Sequence, residues 1–257
     1  MPAQEVPVFW RRKRVSDNNF VIDTNFRVVH EDSDILILDK PSPLAVHPVG
    51  VYAELNLHSL LKNDPRRAGQ SVRFVHRLDA ETSGLICAAK TEAAARFLGI
   101  EFMNGRVDKT YHALVFGTPE RSEGEINARL GHDAGSGFQT VRIADEVNGE
   151  EALTRYKVVS SAGGYSWLEI TPLTGRTHQI RVHLALLGHP IVGDKIYIDL
   201  NLFREYVLGG LNEEILNRLK LPRLALHASR LSFTHPGTRE RVGFHCPAPD
   251  FLKDVRP

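Results

Sequence analysis

Eight short runs in this 257-residue chain are rich in apolar residues, five to ten residues long, and separated by glycine, proline or acidic turns. They are DILILD (34–39), VRFVH (72–76), GLICAAK (84–90), KTYHALVF (109–116), LTRYKVV (153–159), YSWLEIT (165–171), LALHASRLSF (224–233) and RVGFHC (241–246). Runs of this length with β-branched and aromatic residues read as strands. Several are neighbours in sequence, so most pair antiparallel. LTRYKVV and YSWLEIT form a hairpin across SSAGG. Helices are few. Thr91 caps one, whose apolar face is Ala94, Phe97, Leu98 and Phe102 and whose stop is Gly105. Ile180, Leu184 and Leu187 share the face of a second, ended by Gly188 and Pro190. Residues 201–221 read as a helical insert, and 117–150 as a loosely packed hairpin excursion. The class is α+β with a mainly antiparallel sheet. Residues 1–25 read as a polar extension, and the compact fold is expected over 26–257.

Two cysteines, Cys87 and Cys246, supply neither a disulfide framework nor a Cys₄ zinc site, which suits a reducing cytoplasm. No apolar run approaches the ~18 residues of a membrane span. The N-terminal order, a broken apolar stretch followed by Arg11-Arg12-Lys13-Arg14, is wrong for a secretory signal. Net charge is +1, so any nucleic-acid surface must gather its positive charge locally. Basic residues cluster at 11–14 and at Arg223, Arg230, Arg239 and Arg241, whereas 120–155 holds eight Asp/Glu against four Arg.

Phosphate-loop, dinucleotide, serine-hydrolase and zinc-protease signatures are absent. Twelve histidines invite a metal reading, but His178 and His183 are five apart on a helix and do not share a face. No metal is expected. Three segments stand out. His76-Arg77-Leu78-Asp79-Ala80-Glu81-Thr82-Ser83-Gly84 is a charged loop between two strands; its plainest reading is a turn. A kinase catalytic loop is excluded by the missing partner motifs. In TGRTHQIRVH (174–183), Arg176 precedes a helix and Arg181 lies in its first turns, where the dipole disfavours a cation; a carboxylate or phosphate partner is implied. Tyr111 shares a strand face with Ala113 and Val115, the pattern of a buried aromatic.

In order along the chain, KPSPLAVHP, HRLDAETSGLICAAKT, KTYHALVFG, LTGRTHQIRVHLALLGHPIVGDKIY and LHASRLSFTHP resemble the motifs of the RluA-type RNA pseudouridine synthases over about residues 30–245. The resemblance implies a mixed, mainly antiparallel sheet in two halves with an RNA-binding cleft between them. It implies isomerisation of uridine in structured RNA, rRNA or tRNA, to pseudouridine after base flipping, without a cofactor. By position, Asp79 matches the catalytic aspartate, Tyr111 the tyrosine against the target base, and Arg181 the basic partner of the aspartate. Arg77 matches the arginine that displaces the base, and Ile180 a residue lining the uracil pocket. Pro43 and Ala80 stand where the family commonly has Gly and Arg. Phosphate contacts are expected from Lys40, Arg73, Arg77, Arg176 and the 223–241 arginines. A monomer with no obligatory protein partner is expected. A two-carboxylate glycosidase using Asp79 and Glu81 is disfavoured, since residues two apart in one loop do not flank a sugar bond. A non-catalytic RNA-binding protein is disfavoured by the intact Asp79, Tyr111 and Arg181 set.

Overall fold

The computed structural model describes residues 21–69 and 71–254; the basic cluster at 11–14 lies outside them. The strands are β1 (Arg27–Glu31), β2 (Ile35–Lys40), β3 (Arg73–Phe74), β4 (Ser83–Ala89), β5 (Asp108–Phe116), β6 (Glu123–Asn127), β7 (Leu130–His132), β8 (Arg142–Ala144), β9 (Leu153–Ala162), β10 (Tyr165–Pro172), β11 (Leu226–Thr234) and β12 (Arg241–His245). The helices are α1 (Leu57–Lys62), α2 (Glu92–Met103), α3 (Gln179–Leu186), α4 (Leu200–Gly209) and α5 (Glu213–Leu219). Among the described residues no helix is long and apolar enough to cross a membrane.

One large sheet runs β1-β2-β4-β11-β5-β10-β9-β6, with β3 paired on β4 and β12 on β11. All its pairings are antiparallel except β4 with β11, which share only His227↔Ser83 and Ala228↔Gly84. That short parallel contact joins two halves. On one side β2 and β4 are buried on both faces, which is why ILIL and SGLICAA read as unbroken apolar runs. Two apolar clusters sandwich them. One holds Leu36, Leu38, Leu44, Leu57, Leu78 and Ile86; the other holds Ile35, Ile37, Leu85, Leu98 and Phe233. On the other side Ala113, Leu168, Ile170, Ile180, Leu184 and Leu226 form a third. Tyr111 packs against clusters of both halves.

Gly84 explains how closely the halves meet. Its φ is +108°, and a Cβ there would lie 2.3 Å from the Ala228 carbonyl oxygen, so only glycine fits.

The expected elements appear with differences that have local causes. The 72–76 strand shortens to β3 because His76 leaves the ladder. Its Nε2 accepts the Cys87 N–H at 2.9 Å, and its ring stacks on Phe102 at 4.5 Å. The β9–β10 hairpin is longer than the sequence suggests and closes through Gly163-Gly164 alone, both at positive φ (+60° and +83°). The 117–150 segment is not merely an excursion. β6 extends the main sheet, and β7 and β8 form a separate hairpin. Ordered packing also begins before residue 26, since Ile22 is buried and the Asp23 N–H donates to Pro43 O at 3.2 Å.

Candidate active site

Asp79 sits in the loop between β3 and β4, four residues before the Ser83 that opens the junction strand. The Thr82 N–H donates to Asp79 O at 3.1 Å and tightens this loop. The carboxyl remains partly open, with its side chain 21% exposed.

Opposite it lies α3. Gln179, at its first position, anchors the helix to β9. Its Nε2 donates to Leu153 O (3.0 Å) and Thr154 Oγ1 (2.9 Å), while its Oε1 accepts from Thr174 Oγ1 (2.7 Å) and Arg176 N (3.0 Å). His183, one turn on, bonds Thr154 Oγ1 at 2.9 Å and Ala128 O at 3.1 Å. A fully satisfied buried polar network of this kind fixes orientation.

Arg181 projects from this anchored helix toward Asp79, with Nη1 3.3 Å from Oδ2. Its firmer partner is Asp194, a completely buried carboxylate. Nε to Oδ2 and Nη2 to Oδ1 are both 2.8 Å. Asp194 Oδ1 also accepts the N–H groups of Ile196 (2.9 Å) and Tyr197 (3.1 Å). The Tyr197 ring lies under the guanidinium at 5.0 Å. A planar fork held at two points and stacked on a ring keeps one nitrogen free to address Asp79. The partner inferred for Arg181 is therefore a carboxylate, and chiefly one that the sequence reading did not identify.

Burial favours the neutral form of Asp79, but its neighbours His178, Arg181 and Arg77 outweigh it and hold the carboxyl below its ordinary value. His178 is itself held down at about 4, mainly by burial and then by Arg181. At neutral pH His178 is thus uncharged, and the guanidinium groups keep Asp79 ionised. Among the described residues no hydrogen bond reaches Asp79 Oδ1. Burial raises Tyr111, and Asp79 adds to the effect, so its phenol stays protonated. Ile180 is 7% exposed and belongs to the core cluster beneath.

The expected phosphate contacts divide. Arg77 is exposed beside Asp79. Arg176 is exposed and pairs with Glu150 at 2.6 Å; Arg73 faces Glu92 at 3.9 Å. Lys40 is a correction. It is fully buried, and its Nζ donates to Pro41 O (2.9 Å), Leu44 O (2.8 Å) and Ala80 O (3.1 Å). An ammonium has three donors. All are spent on pinning the 40–44 turn to the Asp79 loop, and none is left for a phosphate. The 223–241 arginines are also largely engaged. Arg223 lies over Phe251 (4.8 Å) and Arg239 over Phe97 (4.2 Å), Arg241 pairs with Asp108, and Arg230 is exposed. Glu81 is tied to Lys195 at 2.7 and 2.8 Å.

Two groups of side chains have donor atoms near enough to hold a metal. In the first, Asp39, His227 and Cys246, the guanidinium of Arg27 already occupies the carboxylate at 2.6 Å and lies 3.6 Å from Cys246 Sγ. In the second, Asp32, Asp34 and His235, the imidazole Nδ1 accepts the Gly237 and Thr238 N–H groups. Its Nε2 therefore carries the proton and donates to Asp32 at 3.0 Å. Neither group presents a free set of lone pairs.

Asp194, His178 and Tyr197 are the site residues that sequence reasoning missed. The signal for Asp194 was GDKIY, a glycine before an acid. Gly193 has φ +79°, and a Cβ there would lie 1.9 Å from Arg223 O. His178 was weighed only as a metal ligand.

The sequence profile of a family described as RNA pseudouridylate synthase matches residues 34–186. A Synechocystis protein named as an RNA pseudouridine synthase is 34% identical over 86% of this chain and 65% of its own length. The ribosomal large subunit pseudouridine synthase D of Neisseria meningitidis is 36% identical over 87% of this chain and 58% of its own. The chain thus spans less than two thirds of both relatives. The solved structure of human RNA pseudouridylate synthase domain containing 1 is similar with a TM-score of 0.69 and 29% identity, covering 88% of this chain and 84% of that one.

Proposed function

The chain belongs to the RNA pseudouridylate synthase family, and we propose on that premise that it isomerises a uridine of structured RNA to pseudouridine with Asp79 as the catalytic carboxylate. The observation that carries this reading is a partly exposed Asp79, held below its ordinary pKa, with Oδ2 facing Arg181 at 3.3 Å and Oδ1 without a hydrogen-bond partner among the described residues.

The reaction breaks N1–C1′, turns the uracil and forms C5–C1′. N1 gains a proton and C5 loses one. It is redox-neutral and transfers nothing to a second substrate. An ionised carboxylate serves it as nucleophile or as stabiliser of positive charge at C1′. The sugar is reachable only once the base has left its stack, at a cost of a few kcal/mol. Arg77, exposed beside Asp79, fills the vacated space and meets phosphate. Tyr111 and Ile180 form the wall against which the turned base packs, where stacking contributes ~1–3 kcal/mol. Unpaired loops and bulges are the favoured targets because unstacking costs least there. Large-subunit rRNA is the first substrate to try, given the name of the Neisseria relative, with tRNA beside it. In this reading residues 26–257 act as one catalytic domain of a monomer in the cytoplasm, with Arg176 and the 11–14 cluster as auxiliary phosphate contacts.

Release of tritium from RNA labelled at uridine C5 tests the proposal, since only the isomerase loses that label. The wild-type protein releases it and Asp79→Asn does not. Release at the wild-type rate by Asp79→Asn would sink the assignment.

A further inference from the structure

His178 is unusual in three respects. It precedes α3 with φ +58°, in the left-handed region that costs a non-glycine residue about 1 kcal/mol or more. Its side chain is only 8% exposed although it sits in a loop. Its two ring nitrogens face different partners. Nδ1 lies 2.7 Å from the Tyr197 hydroxyl, and Nε2 lies 3.8 Å from Asp79 Oδ2.

The tautomer follows from the proton count. The Tyr197 oxygen accepts the Arg142 N–H at 3.0 Å. Burial raises Tyr197, so the phenol retains its own proton. Among the described residues the acceptor within reach of that proton is His178 Nδ1. Tyr197 therefore donates to Nδ1, and the proton of the neutral imidazole resides on Nε2, the nitrogen that faces Asp79. The opposite arrangement strands a phenol proton in a largely buried site.

Asp79 Oδ2 thus has two donors converging on it, Arg181 Nη1 at 3.3 Å and His178 Nε2 at 3.8 Å. Both distances are long, as donor contacts around a catalytic group often are before substrate closes the site. Arg181 Nη1 bonds Oδ2 and the His178 Nε2–H lies just beyond hydrogen-bond range of the same oxygen, so both neighbours crowd Oδ2 while none among the described residues takes Oδ1. Tyr197 serves both donors, since its hydroxyl holds the imidazole and its ring supports the guanidinium at 5.0 Å.

We propose that His178 is a positioning residue of the isomerisation: held by Tyr197 with its proton on Nε2, it shares Asp79 Oδ2 with Arg181 and aims Oδ1 at the sugar. The proposal rests on the reading of Asp79 given above. It accounts for the left-handed backbone at 178, which turns the ring back toward the β3–β4 loop instead of along the helix.

The test combines turnover with a spectroscopic readout on the full chain. His178→Gly relieves the backbone and deletes the donor; kcat for tritium release falls on the order of 10²-fold, the size of loss expected from misplacing a reacting group. KM for RNA stays within about twofold, because no RNA contact is removed. His178→Gln, whose amide N–H reaches the position of Nε2–H, recovers most of the lost kcat. A long-range ¹⁵N correlation spectrum at pH 7 shows His178 protonated on Nε2 in the wild type and a mixture of tautomers in Tyr197→Phe. Wild-type kcat in His178→Gly, equal losses of kcat and RNA affinity in both His178 variants, or an Nδ1–H tautomer in the wild type each overturn the proposal. An inactive wild type overturns the functional reading itself; an active wild type indifferent to His178 overturns only the positioning role.

Discussion

Arg181 is held in the site by geometry as well as by charge. Asp194 takes Nε and Nη2 at 2.8 Å each, which leaves Nη1 for Asp79. A lysine has the same charge, but its three donors radiate from one nitrogen and cannot reproduce the spread of Nε, Nη2 and Nη1 across two carboxylates. Arg181→Lys is expected to lower kcat on the order of 10²-fold while RNA affinity changes less than about threefold, as read by single-turnover tritium release beside filter binding. An unchanged kcat would show that charge alone suffices. Asp194 deserves the same weight as Asp79 in any variant series, because its removal leaves a buried guanidinium with one distant partner.

Elements carry these residues to one place through a few unavoidable contacts. The β4–β11 junction is the most demanding. Gly84 combines φ +108° with a space too small for any Cβ, since Ala228 N, C and O all lie within 2.8 Å of its position. Gly84→Ala therefore forces the two halves of the sheet apart directly beneath the Asp79 loop. Urea denaturation is expected to show a loss of more than about 4 kcal/mol, or no cooperative transition at all. An alanine variant within 1 kcal/mol of wild type, a bound on the order of the error of such measurements, would mean that the junction is looser than drawn. α2 shows the milder case. The Thr91 side chain accepts the Ala94 N–H at 3.1 Å, an ordinary cap read directly from the sequence.

For the whole molecule, buried neutral histidines couple stability to pH. His178 and His227 are held at about 4 and His76 at about 3, in each case mainly by burial. The unfolded chain protonates all three near 6.5. Between pH 6.5 and 4 the unfolded state therefore binds more protons than the native state, and stability rises with pH across that window. Each unit of depression corresponds to ~1.4 kcal/mol at full effect. The contribution of these rings to the thermal midpoint is expected to fall steadily as pH drops from 6.5 to 4 and to flatten above about 7. A midpoint constant from pH 7 to 4.5 would contradict the burial of these rings. The same neutrality matters for function, because His178 acts in the site as a donor without adding charge.

The strand-rich α+β class, the helix capped by Thr91, the apolar face of α3 and the ordered motifs that carry Asp79, Tyr111 and Arg181 were all legible in the chain. Each depends on periodicity or on residues close together in sequence. Lys40 was misread because composition shows a cation without its surroundings. Only the folded chain shows three carbonyl groups converging on its ammonium. Three of the 223–241 arginines meet Phe251, Phe97 and Asp108, in other segments or just beyond the cluster, and those contacts too were invisible in the chain. Asp194, 13 residues beyond Arg181, and Tyr197, 19 beyond His178, acquire their roles only when α3 docks on β9 and the Gly193 turn folds back. Local sequence fixes which side chains are available. The direction in which each points, and the protonation state it adopts there, follow from burial and long-range contacts that exist only after the two halves of the sheet have met.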